Sequence, residues 1–157
     1  MPDEIDFCLR YVDNPKLQEK MVLTARLHIK GHRLENEGIP LLTCNYRFSQ
    51  DIDQRGLPKS EVKGGVITMS FGNMNDYEIM YWMMSSKADK SGKIIFAGDE
   101  TEKAFKTLEF KDARCISYQD SFVRDTEMLM EISISAREIS ISGVSHVNTW
   151  TMYESGK

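Results

Sequence analysis

No two cysteines in this sequence have the C-x-x-C spacing of a redox or metal motif. The three present, Cys8, Cys44 and Cys115, are odd in number and widely spaced, so they do not form a disulfide framework and read as reduced core residues. No run approaches the ~18 consecutive apolar residues that a membrane span requires. The acidic opening MPDEIDFCLR lacks the basic start and apolar stretch of a secretory signal. These absences predict a chain made and folded in the cytoplasm, without membrane insertion, that would leave the cell only by a route needing no signal peptide. Excess positive charge is also missing: the formal net charge is -4, and a phosphate-reading surface concentrates Lys and Arg, so nucleic acid is not an expected partner.

Catalytic and metal-binding constellations are equally scarce. His28, His32 and His146 lie far apart, none at ligand spacing from a cysteine or carboxylate, and read as surface histidines. Cys115 with His146 would make a nucleophile and base, but Cys115 sits in a strand-like stretch with no strained turn or helix N-terminus to activate the thiol, so packing explains it better. Gly64-Gly65 lacks the spacing and the following Lys-Ser or Lys-Thr of a phosphate loop, and reads as a turn or bulge entering a strand. Asp51 and Asp53 belong to a polar loop where solvation or salt bridges account for them. Met80, Met83, Met84, Met128 and Met130 fit core filling on and under a helix better than a promiscuous binding surface. No catalytic residue, metal ligand or cofactor is expected.

What is present is strand periodicity. At 157 residues with 41% hydrophobic and 28% charged content, one soluble domain with a real core is the expectation. Residues 1–20 show no sustained period and carry a turn signal at Asp13-Asn14-Pro15, so they read as an irregular arm or short edge strand ahead of a domain over 21–157. Met21, Leu23, Ala25, Leu27 and Ile29 alternate with polar positions, and so do Leu42, Cys44, Tyr46 and Phe48; the two runs predict a hairpin with a long connection over 31–40. Residues 49–63, SQDIDQRGLPKSEVK, have no period and predict a long loop, a kind of segment that is often functional. Val66–Phe71 predicts a strand, and Asp76 predicts the cap of a helix from Tyr77 to Met83. Lys93–Gly98 predicts a strand entered through a Ser91-Gly92 turn, followed by strands over 103–111 and 114–122.

The chain is organised around Glu127–Ser142. Met128, Met130, Ile132, Ile134 and Ala136 alternate with polar residues, then the apolar positions become Ile139 and Ile141. One inserted residue near Arg137 and Glu138, a β-bulge, would produce that slip. The polar face is largely serine, a mediocre strand former, which suggests contact with something other than water. About seven or eight strands with one helix predict an antiparallel barrel or sandwich whose edges need partners.

Three blocks carry a family resemblance. The first is Leu42–Phe71, with Cys44, Tyr46, Phe48, Gln50, Asp53, Gly56, Pro58, Val62 and Gly64-Gly65; the second is Leu108–Ala113 followed by Cys115–Tyr118 and Phe122; the third is Ile132–Ile141, ending in His146 and Trp150. In register, they resemble the Bacteroidetes-type TssD (Hcp) tube proteins of type VI secretion systems over most of the chain from Val22 to Trp150. The resemblance implies a mainly β, phage-tail-tube-like (Hcp-like) antiparallel β-barrel with one flanking α-helix, with no catalytic residues. It implies hexameric rings of self-associating subunits stacked into an inner tube, expelled by a contracting sheath together with the spike, and able to carry effectors. It departs from the family in its longer arm over 1–20 and its larger 31–40 connection.

Within that frame, Gln50, Asp51, Asp53, Arg55, Lys59, Glu61 and Lys63 form an expected ring-stacking loop pairing across ring junctions. Ser133, Ser135, Ser140 and Ser142 form an expected face toward the lumen or the next subunit. The alternative from the same resemblance is a paralogue that acts as an effector-binding adaptor. A small-molecule-binding barrel is the reading from another class, opposed by the Met, Phe and Ile that would fill its interior.

Overall fold

The computed structural model describes residues 22–72, 74–98 and 103–150; the arm over 1–20 lies outside them. Among the described residues the chain forms eight strands and one helix: β1 (Leu23–Ile29), β2 (Ile39–Pro40), β3 (Thr43–Tyr46), β4 (Val66–Gly72), α1 (Tyr77–Met84), β5 (Lys90–Gly98), β6 (Ala104–Ser121), β7 (Leu129–Ile141) and β8 (Val144–Val147). The antiparallel sheet runs β2-β1-β5-β6-β7-β4-β3, with β8 added beside β7. Its two ends are consecutive in sequence, so one segment closes the curl into a barrel. The change of side is abrupt: the Leu41 amide donates to Ala25 on β1, and the next amide, Leu42, donates to Ser70 on β4.

This closure corrects the expected hairpin. Only Ile39 and Pro40 pair with β1, opposite Leu27 and Arg26, whereas Thr43–Tyr46 pairs with β4. Two-residue periodicity fixes which side of a strand is apolar but carries no information about the neighbouring strand. The interior is filled by the alternating apolar residues of every long strand, with Leu27, Ile67, Phe71, Ile94, Phe110, Ile132 and Ile134 buried. Burial of each such side chain contributes about 1.5–3 kcal/mol.

The helix forms where the sequence predicts it. Asp76 caps it, accepting from the Glu78 and Ile79 amides, and Ile79 and Trp82 face the barrel. The Trp82 indole donates to Ala88 and to Ala113 at 3.1 Å each, fixing α1 against β6. The methionines do not all fill the core: Met130 is buried, but Met80, Met84 and Met128 are exposed.

His32 is not a surface residue. It is 5% exposed, its Nε2 lies 2.7 Å from Asp76 Oδ2, and its Nδ1 accepts from the Leu34 amide. An acceptor Nδ1 leaves the proton on Nε2 to donate to the capping carboxylate, so the 31–38 connection is tied to the start of α1. A polar-looking segment thus hides one buried histidine with a satisfied partner.

Three further expectations change on the sheet. Ser91-Gly92 lies inside β5 at a register shift, where a side chain at Gly92 would strike the His28 carbonyl at 2.2 Å. The stretches 103–111 and 114–122 are one strand, bent at Asp112 with φ 50. The slip in β7 contains no inserted residue: Lys111 faces Glu138 and Ala113 faces Ala136, two steps on each strand. Both strands reverse their inward parity together at the Asp112–Arg137 level, where the two side chains form an ion pair. The insertion occurs instead in β6, between Cys115 and Ser117. At the slip β7 also changes neighbour, from β4 through Ser135 to β8 from Glu138.

Candidate subunit-contact surfaces

Two surface regions stand out on the barrel. The first is the outer side of β3, β4, β6 and β7, built from short hydroxyl side chains because the inward positions of those strands are taken by the core. Thr43 and Ser70 hydroxyls lie 2.6 Å apart, and Thr68 and Ser133 hydroxyls 2.8 Å apart. Ser133 faces Thr68 on one side and Ser117 on the other, and Ser135 faces Val66 and Arg114. Cross-strand hydroxyl pairs of this kind hold their side chains down along the sheet, leaving a low strip flanked by the charges of Glu131 and Arg114.

Of the four expected serines, Ser133 and Ser135 belong to this wall. Ser140 lies beyond the slip, between Glu109 and Ser145. Ser142 is not on the strand face: with Gly143 it makes the two-residue turn into β8, with φ 49 and 88, the left-handed pair a tight hairpin needs.

The second region is 49–63. It is a narrow hairpin rather than a featureless loop, with bridges at Ser49–Lys63 and Ile52–Pro58. Three of its charges are used internally: Lys63 Nζ meets Asp51 at 2.6 Å, and Asp53 Oδ1 accepts from the Arg55 and Leu57 amides at 2.8 and 3.0 Å. Gln50 donates to the Ser60 carbonyl, and the Asp51 amide to the Ser60 hydroxyl. With the polar groups so occupied, Ile52 and Leu57 project outward, 60% and 61% exposed, while Arg55, Lys59 and Glu61 stay exposed around them.

The base of this hairpin is anchored. The Phe48 ring lies against Gly64, where any Cβ would meet it at 2.2 Å, and packs edge-on against His146. Asn148 donates to the Gly64 and Ala136 carbonyls at 2.8 and 3.0 Å. Its side-chain oxygen lies 3.0 Å from His146 Nε2. The anchor therefore grips β7 where that strand changes neighbour. Gly64-Gly65 gave the one sequence signal of this anchor; nothing in the pattern marked Asn148 or the outward Ile52 and Leu57.

Burial raises the Cys44 and Cys115 thiols, Cys44 to about 11, which keeps their thiolates scarce at neutral pH. Among the described residues no group of His, Cys, Asp and Glu could hold a metal, and no helix is long and apolar enough to cross a membrane.

The family model for TssD, hemolysin coregulated protein Hcp, matches residues 21–151. The chain belongs to the Hcp family. Hcp1 from Flavobacterium johnsoniae superimposes with a TM-score of 0.72 at 25% identity, over 80% of this chain and 99% of that one. Hcp1 from Salmonella typhimurium gives 0.60 at 11% identity, over 76% of this chain and 85% of that one. The sheath/tube terminator of PVC, an extracellular contractile injection system, gives 0.52 at 18%, over 76% and 91%. No curated protein matches the sequence. The fold is accordingly the mainly β, Hcp-like antiparallel barrel with one flanking helix, and the family is one of structural tube proteins.

Proposed function

We propose that this protein is a subunit of a type VI secretion inner tube, assembling as homohexameric rings that stack, are expelled by a contracting sheath with the spike, and carry effectors in the lumen. The carrying observation is the family match over residues 21–151 on a barrel that aligns with nearly the whole of a Flavobacterium Hcp1. Cyclic closure turns a head-to-tail contact into a finite ring, and a stackable ring needs two kinds of surface. The Ser133 and Ser135 wall, with Ser140 beside it, suits a lumen lining or a subunit contact, because its hydroxyl side chains are short. The hairpin containing Gln50, Asp51, Asp53, Arg55, Lys59, Glu61 and Lys63 suits the junction between rings. There the contact is made by Ile52 and Leu57, with the charges holding the hairpin in shape. Residues 21–157 form the barrel domain and 1–20 an added arm, and the protein is cytoplasmic until the machine secretes it.

Native mass spectrometry and negative-stain imaging of the purified protein test this reading. Six-subunit annuli that stack at high concentration are the expected result; a strict monomer at every concentration would overturn it. The alternative is an effector-binding adaptor on the same fold, supported by the segment 1–20 that the family match leaves out. An adaptor loses a co-purifying partner when 1–20 is deleted, whereas a tube subunit keeps its rings.

A further inference from the structure

Of the three histidines, His32 alone accepts a hydrogen bond at a ring nitrogen among the described residues. His28 Nδ1 lies 2.7 Å from the Glu35 carbonyl, and a carbonyl only accepts, so that nitrogen donates. His146 Nε2 faces the Asn148 side-chain oxygen, because the Asn148 amide group donates to two carbonyls, so His146 donates as well. A donating ring nitrogen keeps its bond when the other nitrogen takes up a proton. His32 is different: Nε2 donates to Asp76 Oδ2 at 2.7 Å, and Nδ1 accepts from the Leu34 amide at 3.0 Å. A second proton on this ring sits on Nδ1 and sets two donors face to face.

The surrounding charges decide which contact gives way. From α1, Asp76 Oδ2 at 2.7 Å and Glu78 Oε2 at 3.9 Å from Nε2 both attract a charged ring. Arg33, 3.9 Å from Asp76 Oδ2, opposes them in part. Tyr118 on β6, close enough to Asp76 to sense its charge, stays neutral, pushed up to about 12 by burial and by Asp120. The contact with Asp76 therefore survives protonation, and the bond from Leu34 is the one lost. That bond helps to hold residues 31–38 as a strap. Backbone bonds from His32 to Ile29, Glu35 to His32 and Gly38 to Leu34 fold it, Arg26 donates to the Glu37 and Gly38 carbonyls at 3.3 Å each, and Leu34 packs against the core. Asn36 of the strap stands in the walls of two clefts of about 500 and 930 Å³, which also share His28 and Ile95.

We propose that His32 is an acid-sensitive latch. With a neutral ring it closes the strap; uptake of one proton at Nδ1 releases the Leu34 amide and opens the strap between the two clefts, while Asp76 keeps the charged ring at α1. The closed strap excludes the second ring proton and the open strap admits it, so falling pH favours opening.

Nuclear magnetic resonance of the full-length protein with nitrogen-labelled histidine, paired with hydrogen-exchange mass spectrometry from about pH 8 to 5, the range in which histidine changes charge, tests the latch. At the upper end the His32 ring should carry its proton on Nε2. As the ring titrates, protection of peptides spanning 33–38, corrected for the intrinsic pH dependence of exchange, should fall about tenfold or more with the same midpoint. Protection of β7 and of the Asn148 amide should stay unchanged. A ring protonated at Nδ1 at the upper end, a ring that takes up no proton across the range, protection that is constant while the ring titrates, or an equal loss in β7 overturns the proposal. His32→Gln keeps a side-chain donor and acceptor but has nothing to titrate, so the pH dependence of 33–38 should disappear; its persistence also overturns the proposal.

Discussion

The half-buried hydroxyl wall and the exposed 49–63 hairpin are both polar in sequence, yet they differ in what their polar groups do. On the wall, Thr68 pairs with Ser133 and Thr43 with Ser70 across neighbouring strands. In the hairpin Asp51, Asp53 and Lys63 are paired locally, and apolar Ile52 and Leu57 stand exposed beside Arg55, Lys59 and Glu61. The lesson is that charge count says little about contact chemistry until the internal partners are known.

The comparison breaks most strongly where the wall meets the core. Ile132→Ala, on the inward side next to Ser133, should cost about 2–5 kcal/mol in urea unfolding of the monomer. Gly65→Ala comes next. With φ +99 and with Asn148 Nδ2 and the Ala136 carbonyl at 2.5 and 2.7 Å from a new Cβ, the change should cost about 1–3 kcal/mol and loosen the hairpin base. Faster exchange of the 49–63 amides measures that loosening.

Ser133→Arg sharpens the contrast between wall and core. It removes one hydroxyl pair, worth about 1 kcal/mol to the monomer, but places a long charge on the low surface, so rings should be lost in native mass spectrometry while the monomer still unfolds cooperatively. A monomer destabilised as much as by Ile132→Ala would assign Ser133 to the core. Ile52→Asp with Leu57→Asp should change monomer stability by no more than about 0.5 kcal/mol and leave rings intact while shortening stacks seen by negative stain. Smallest of all, Lys63→Ala removes an exposed ion pair worth about 0.2–1 kcal/mol. If it shortens stacks more than the Ile52 and Leu57 changes do, the charges, not the apolar tips, make the junction.

Much of this was legible in the sequence where side-chain spacing alone decides the outcome. The alternation of β7 through Ala136, the parity slip before Ile139 and the Asp76 cap follow from period and from cap chemistry. The slip's cause did not follow, because it is shared with Asp112 on another strand. The pairing of β3 with β4 depends on which edge lies nearby, and no residue between 39 and 46 announces that. His32 was misplaced because a histidine on a polar connection looks solvated until its partner, Asp76, is found 44 residues away. At the contact surfaces, the serines and the charges were visible, but their pairings, and hence the exposed Ile52 and Leu57, were not.

The segment Ile39–Tyr46 has a consequence for biosynthesis. It joins β1 to β4, yet in the sheet those strands are separated by β5, β6 and β7, all of which follow in the chain. A nascent chain leaving the ribosome after Gly72 therefore holds both rims of its barrel and none of the staves between them. Closure waits for β7, and non-local pairing of this sort is slow and exposes strand edges meanwhile. Between translation of β4 and of β7, the inner edges of both rims stand without their neighbours.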